Sequence, residues 1–349
     1  MTPIREDNDR DDMDGDRTHP IDEHHVSGYC CYRVTDFVQY QTPPVVYSGP
    51  DVMNHFYEHI MRESEEIDRI IREQKPMTPL SPQERAEYRK AAVCGNCGEG
   101  FTHQNYEVRH HCRLSGDFLF AACNTCNLQL KPTKCKATKR RYTTEDEDAE
   151  AHYMNNYFLQ IVFHNLKGYD GHPILKNFAK KYVERCGKND KVTYDDVQVI
   201  PVNGEKYLQF QIGNLRFLDS FQFVSTSLDN LVSLLLKSGK ENFHHTRKYL
   251  GDSDLVYAKG VYPYSYMTDR SKFAEKQLPP IEAFYDKLKD EPLSHADYER
   301  ADLTWKEFNI QSLQEYHDHY LKSDVLLLSD IFESFRQSKI GRASCRERV

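Results

Sequence analysis

Two pairs of cysteines, Cys94-x-x-Cys97 and Cys123-x-x-Cys126, begin 29 residues apart and constrain this chain more than any other feature. A Cys-x-x-Cys turn presents two thiolates on one tight knuckle, and two such knuckles supply the four ligands of one tetrahedral zinc ion. The stretch around them, Arg85 to Lys136, is too short to bury a sizeable core. The expectation is therefore a module held together by its metal and unfolded by chelation. Ligand cysteines in pairs also point to a reducing, intracellular setting rather than a disulfide framework, although the chain has ten cysteines.

At 349 residues the chain exceeds what one core usually serves, and two or three domains are expected. The formal charge of −8 argues against a uniformly basic surface, but the charge is unevenly spread. Glu6 to Glu23 carry nine acids against two basic residues and read as a solvated loop, whereas Lys131 to Arg141 carry six basic residues and no acid. No apolar run reaches membrane-spanning length, and the N-terminus lacks signal-peptide character. Ile340 to Val349 breaks from the helix before it and, back-translated, reads as a sequencing adapter, so the genuine frame is expected to end near Lys339.

Periodicity predicts a mixed α/β chain. SGYCCYRVT reads as a strand, and Asp51 to Gln74 as an amphipathic helix with Val52, Phe56, Ile60, Ile67 and Ile71 at helical spacing. Residues 1–84 thus form one region, 85–136 the metal module, 137–157 a charged linker, and 158–339 a second α/β region. In that last region Phe158 to Phe163 and YLQFQIGNLRFLDSFQF read as strands, with a hairpin turn at Gly213-Asn214. SLDNLVSLLLKS and SLQEYHDHYLKSDVLLLSDIFESFR read as helices with buried Leu and Ile faces.

FHNLKGYDGH, from Phe163 to His172, closes the first of those strands with a solitary carboxylate, Asp170. An aspartate there serves either as a helix N-cap or as part of a site. Tyr320 and Asp324 lie four apart on the last helix and share a face. A carboxylate that holds a metal beside a phenol that orients water is what metal-assisted phosphodiester hydrolysis requires.

Between the cysteine pairs, VRHHCRLSGDF, with Asn127 directly after Cys126, resembles the zinc-bound His-Me (HNH) nucleases of the endonuclease VII type. The resemblance implies His111 as general base and Asn127 as metal ligand. The family's acid is His110 here, its second histidine is Arg113, and Leu130 stands where a further acid is found. A structural or DNA-contacting module is the leading expectation, with Arg109, Arg113, Lys131 and Lys134 meeting phosphates.

FHNLKGYD and YLKSD resemble, in order, the second and third exonuclease motifs of family B DNA polymerases, and SLDNL resembles the serine-leucine motif of protein-primed members. LRFLDSFQF and KGVYPYSYM are similar to segments of polymerases of Maverick/Polinton transposons and related viruses, in which a His-Me-like insert also precedes the second motif. The resemblance covers about Asp22 to Gln337 and implies an incomplete ribonuclease H-like 3′–5′ exonuclease fold with a small zinc-stabilised His-Me-finger-like insert. It implies Asp170 and Asp324 as Mg²⁺ or Mn²⁺ carboxylates, Tyr320 as the water-orienting phenol, and Asn165 at the primer terminus. Ser227, Leu228 and His164 would contact the single-stranded 3′ end, with Tyr169 packing beside them; DNA and a terminal protein are the implied partners.

The family's first exonuclease motif, Asp-x-Glu on a strand, has no match: Asp148-x-Glu150 lies in a charge run and Asp297-x-Glu299 in a polar helical stretch. An upstream segment is therefore expected to be missing, and with only two carboxylates hydrolysis is expected to be slow. Two other readings stand beside this one: a structure-specific endonuclease driven by the zinc module, and a non-catalytic zinc-dependent DNA-binding adaptor.

Overall fold

The computed structural model describes residues 2–7, 22–130, 158–168, 170–185, 197–201, 207–287 and 289–340. The expected basic strip, including Lys131 and Lys134, lies outside them, as do Tyr169, the charged linker and Asp148-x-Glu150. In chain order the elements are β1 (Thr2–Asp7), β2 (Asp22–Cys31), β3 (Val45–Tyr47), α1 (Val52–Glu73), α2 (Pro82–Lys90), β4 (Glu107–His111), β5 (Phe118–Cys123) and α3 (Asn124–Gln129). There follow β6 (Leu159–Phe163), α4 (Gly171–Arg185), β7 (Val197–Pro201), β8 (Tyr207–Ile212), β9 (Leu215–Asp219), α5 (Leu228–Lys237), α6 (His244–Leu250), α7 (His295–Glu307) and α8 (Leu313–Ile340). No helix among the described residues is long and apolar enough to cross a membrane.

The chain divides into two compact units, one comprising Met1–His59, Val162–Ile212 and Phe217–Lys339, the other Ile60–Ile161, Gly213–Arg216 and Ile340–Val349. In the first, β1, β2 and β3 form an antiparallel sheet. Both edges of the acidic segment expected to be a loop are in fact strand: Glu6 is registered opposite Glu23 and Asp7 opposite Asp22. Backbone pairing forms this ladder, and acidic composition alone conceals it. A second sheet is ordered β6-β9-β8-β7, with Gly213 at φ +59° making the tight β8–β9 turn that a Cβ would strain.

Within the first unit, Phe178 of α4 meets Phe56, Tyr57 and Phe217 at ring separations of 5.7, 4.8 and 5.5 Å. α8 carries two further apolar clusters: Leu313, Tyr316 and Tyr320 pack with Tyr262, Met267 and Phe284, and Leu327 and Ile331 pack with Leu228, Leu231 and Val232. Asp330, also on α8, caps α6 by accepting from the His245 and Thr246 amides at 2.8 and 2.9 Å.

His317, fully enclosed on α8, bonds through Nδ1 to the Tyr262 hydroxyl at 2.8 Å. Burial, with the Arg270 charge nearby, pushes its pKa down to about 3. The unfolded chain therefore binds this proton near the ordinary histidine value while the folded chain refuses it. Stability from His317 is fully present above about pH 6.5 and is lost as pH falls toward 3. Each tenfold in proton affinity is worth about 1.4 kcal/mol, so the window amounts to about 5 kcal/mol. Asp318, Asp324 and Asp330, raised by burial, oppose this slope. The measurement is thus a difference: between pH 7 and 4.5, the urea midpoint of His317→Gln should fall less than that of the wild type. Equal falls would show that His317 does not titrate on unfolding.

Candidate metal centre and carboxylate site

The Cys94, Cys97, Cys123 and Cys126 sulfurs all lie within 4.8 Å of one another. The arrangement is built by backbone: Cys94 Sγ accepts from the Asn96 and Cys123 amides at 3.4 and 3.2 Å, and Cys123 Sγ from the Cys126 amide at 3.4 Å as it caps α3. Burial raises the Cys94 thiol, but amides of Cys123, Cys97 and Asn96 outweigh it and bring the thiol down to about 6. Four sulfurs at this separation fit a tetrahedral thiophilic ion.

In the same unit, β4 and β5 pair antiparallel and lead into α3. A register shift between His110 and His111 re-aims the strand end. His110 is buried, bonds Asn127 Oδ1 through Nδ1 at 3.1 Å and packs on Phe120. His111 is held by the Lys75 backbone, and burial followed by Arg113 and His110 lowers its pKa. Arg113 donates to Gln74 Oε1 at 2.7 Å, while Arg109 is exposed and lies 5.7 Å over the Tyr88 ring.

In the other unit, Asp170 stands immediately before α4, and its carbonyl accepts from the Ile174 amide at 3.4 Å. Asn165, exposed, sits at φ +65°, a left-handed turn held by Asp219. Asp219 is completely buried and accepts from the amides of Asn165, Lys167 and Phe221 at 2.8, 3.3 and 3.0 Å, as befits a structural hydrogen-bonder at a strand end. His164 bonds Ser220 Oγ at 2.9 Å and the Thr226 carbonyl at 3.0 Å. Ser227, exposed, caps α5 by accepting from the Asn230 amide, whereas Leu228 is buried in the α5 core.

Tyr320 and Asp324 occupy one face of α8. The Tyr320 hydroxyl lies 2.6 Å from that of Tyr264. Gly260 passes beneath the ring: a Cβ there would stand 2.7 Å from Tyr320 Cδ2. Burial, then Asp324 and Tyr264, raises Tyr320 well above the ordinary phenol value, so the hydroxyl keeps its proton. Asp324 is pushed up by burial and pulled down by Lys259 and the Tyr320 hydroxyl, and its Oδ1 is buried with no hydrogen-bond partner. Tyr264 is 46% exposed, with its hydroxyl held by that of Tyr320. Burial, then the charges of Asp324, Asp170 and Asp286, raises its pKa against the lowering effect of the Tyr320 hydroxyl.

Lys259 and Tyr264 were not singled out as site residues by sequence. Both fall in KGVYPYSYM, an irregular segment with no periodicity from which their direction could be read. Asp297-x-Glu299 lies on α7, where Asp297 bonds Ser294 and Arg300.

No curated protein and no solved structure matches the chain. A family model described as DNA polymerase type B, organellar and viral, matches residues 151–340, which include both carboxylates, the phenols and Lys259. That match spans more than half of the sequence, and the chain belongs to the organellar and viral type B DNA polymerase family.

Proposed function

We propose that residues 158–339 form the 3′–5′ proofreading exonuclease region, ribonuclease H-like in fold, of a protein-primed type B DNA polymerase of the Maverick/Polinton kind. On this reading residues 85–136 are a zinc-stabilised insert. The observation that carries it is the buried Asp324 Oδ1, without a hydrogen-bond partner, on the helix face of Tyr320, whose hydroxyl bonds that of Tyr264.

Asp170 and Asp324 would hold the divalent cation, whose chemistry is to stabilise charge on the phosphate under attack. They supply two carboxylates, enough to anchor a cation weakly. Tyr320, kept protonated, presents a hydroxyl that orients water, and Tyr264 fixes that hydroxyl from the far side. Lys259, the cation that pulls Asp324 down, balances the buried charge and faces an incoming phosphate. Asn165, set by its left-handed turn, and Ser227, at the start of α5, meet the frayed 3′ end without reading bases, as mispaired ends of any sequence demand.

The test is Mn²⁺ binding followed by water proton relaxation, together with shortening of 3′-mispaired oligonucleotides. Wild type should bind Mn²⁺ weakly and shorten strands slowly from the 3′ end. Asp324→Ala and Asp170→Ala should each reduce shortening at least 100-fold, about 2.7 kcal/mol of barrier. Binding and shortening indifferent to both substitutions would overturn the reading.

One observation favours a second role for the insert. His110 and Asn127 are joined at 3.1 Å on a strand-strand-helix frame, the arrangement of the endonuclease VII-type resemblance. His111→Ala should leave branched-DNA cleavage unchanged on the exonuclease reading and abolish it on the endonuclease reading.

A further inference from the structure

Behind the two phenols of the candidate site lies a second polar pair that the proposed chemistry does not use. Tyr262 is buried, and its ring stands 5.0 Å from that of Tyr320 and 5.1 Å from that of Tyr264. Both partners of the 2.6 Å hydroxyl contact therefore rest on one ring. A buried phenol needs a hydrogen-bond partner, and the Tyr262 hydroxyl finds His317 Nδ1 at 2.8 Å. No other partner of that hydroxyl occurs among the described residues, so the phenol donates and Nδ1 accepts. His317 is completely buried, one turn before Tyr320 on α8, with its ring 5.0 Å from that of Phe273 and its Nε2 3.5 Å from Ser27 Oγ on β2. Arg270 in turn holds the Ser27 carbonyl at 3.4 Å. β2 comes this close because residue 28 is glycine: a Cβ there would stand 2.8 Å from His317 Nε2.

We infer that His317 and Tyr262 are positioning residues for the Tyr320–Tyr264 phenol pair, the bond between them fixing the ring against which both phenols are set. This rests on the exonuclease reading above and deepens it. A hydroxyl orients water only when its own direction is fixed beforehand, and small displacements of an orienting group cost large factors in rate. Neither residue touches the strand or the cation in the proposed chemistry. Removing the bond leaves both carboxylates in place but frees the Tyr262 ring to rock, and Tyr320 with it. The strand end is then bound as before while the attacking water is misdirected. The loss falls on turnover rather than on binding.

The test is the kinetics of shortening of 3′-mispaired oligonucleotides by the full chain, well below its melting temperature, together with fluorine NMR of fluorotyrosine placed at position 264. Tyr262→Phe removes a single oxygen and keeps the packing, so it is the variant expected to fold. Tyr262→Phe and His317→Leu should each lower kcat about tenfold while leaving KM within about twofold and Mn²⁺ binding unchanged. His317→Asn offers a carbonyl acceptor in place of Nδ1 and should bring kcat back to within about threefold of wild type. The fluorine signal should be one narrow line in wild type, broaden or double in Tyr262→Phe and His317→Leu, and return to one line in His317→Asn. A pair that serves stability alone would lower the melting temperature and leave both kcat and the line as they are, and that result would overturn the inference. If Asp324→Ala abolishes shortening while Tyr262→Phe keeps the wild-type kcat, the positioning role falls and the exonuclease reading stands. Shortening indifferent to Asp324→Ala would remove the exonuclease reading, and the fluorine line alone would then decide whether the pair holds the phenols.

Discussion

Replacing Cys123 by Ser, or stripping the protein with a strong chelator, is expected to unfold the segment from Val93 to Leu130 while the unit containing α8 stays folded. The apolar content of that segment is slight: Ala122 and the cysteines are buried, with Phe101, Val108 and Phe120 only partly covered. Metal binding by such small modules is worth about 10–16 kcal/mol, comparable with or above the whole net stability of an ordinary domain at about 5–15 kcal/mol. An ion held by the four sulfurs would therefore decide whether the segment folds. Without it, four sulfurs crowded within 4.8 Å face one another with no shared charge to hold them.

Cys123 is the sharpest position to change, because its sulfur receives the Cys126 amide and its own amide bonds Cys94, so one substitution loosens both knuckles. Cys112, half-buried and outside the cluster, is the control, and Cys112→Ser should leave metal content unchanged. Metal analysis should give one zinc per chain in wild type and a small fraction of that in Cys123→Ser. Limited proteolysis should then cut near β4 and β5. A metal-free wild type that resists protease as well as the loaded form would show that packing, not the ion, holds this segment.

The sequence exposed those parts of the site whose chemistry is local. Two cysteines on a four-residue turn must lie together, and a tyrosine four residues before an aspartate must share its helical face; both were legible from spacing alone. Direction across irregular backbone was not. Neighbouring strand positions face opposite sides, and which face of β4 lies toward α3, so that His110 meets Asn127, is set by tertiary pairing that spacing does not reveal. Tyr264 reaches Tyr320 through a segment of turns and short 3-10 pieces, where neither the 3.6 nor the 2.0 period operates. The same limit hid β1: its residues pair through backbone groups that acidic side chains do not advertise. α1 and α8 were legible because burial along them follows the helical period that places Phe56, Ile60, Leu327 and Ile331 inward.

Asp219→Ala is expected to cost about 3–5 kcal/mol and to disorder the turn that presents Asn165. The carboxylate is completely buried, and its two oxygens take the amides of Asn165, Lys167 and Phe221. A hydrogen bond to a charged group contributes about 1.5–3 kcal/mol, and a buried amide left without a partner costs about 1–3 kcal/mol. Asn165 depends on this most, since its own amide is bonded to Asp219 and its φ of +65° lies in the left-handed region that asparagine tolerates better than most residues but that is still uncommon outside glycine. Asp219→Asn keeps the volume but turns N–H toward one of the amides, so its cost should be smaller, about 1–3 kcal/mol. Urea unfolding at neutral pH measures both, and amide exchange at Asn165, Lys167 and Phe221 reports where the loss falls. Because Asp219 touches no substrate in the proposed chemistry, Asp219→Asn should raise the oligonucleotide concentration needed for half-maximal shortening while leaving Mn²⁺ binding unchanged; Asp170→Ala should do the reverse. An Asp219→Ala chain within about 1 kcal/mol of wild type, with those three amides still protected, would show that the turn holds itself and that Asn165 owes its position to another contact.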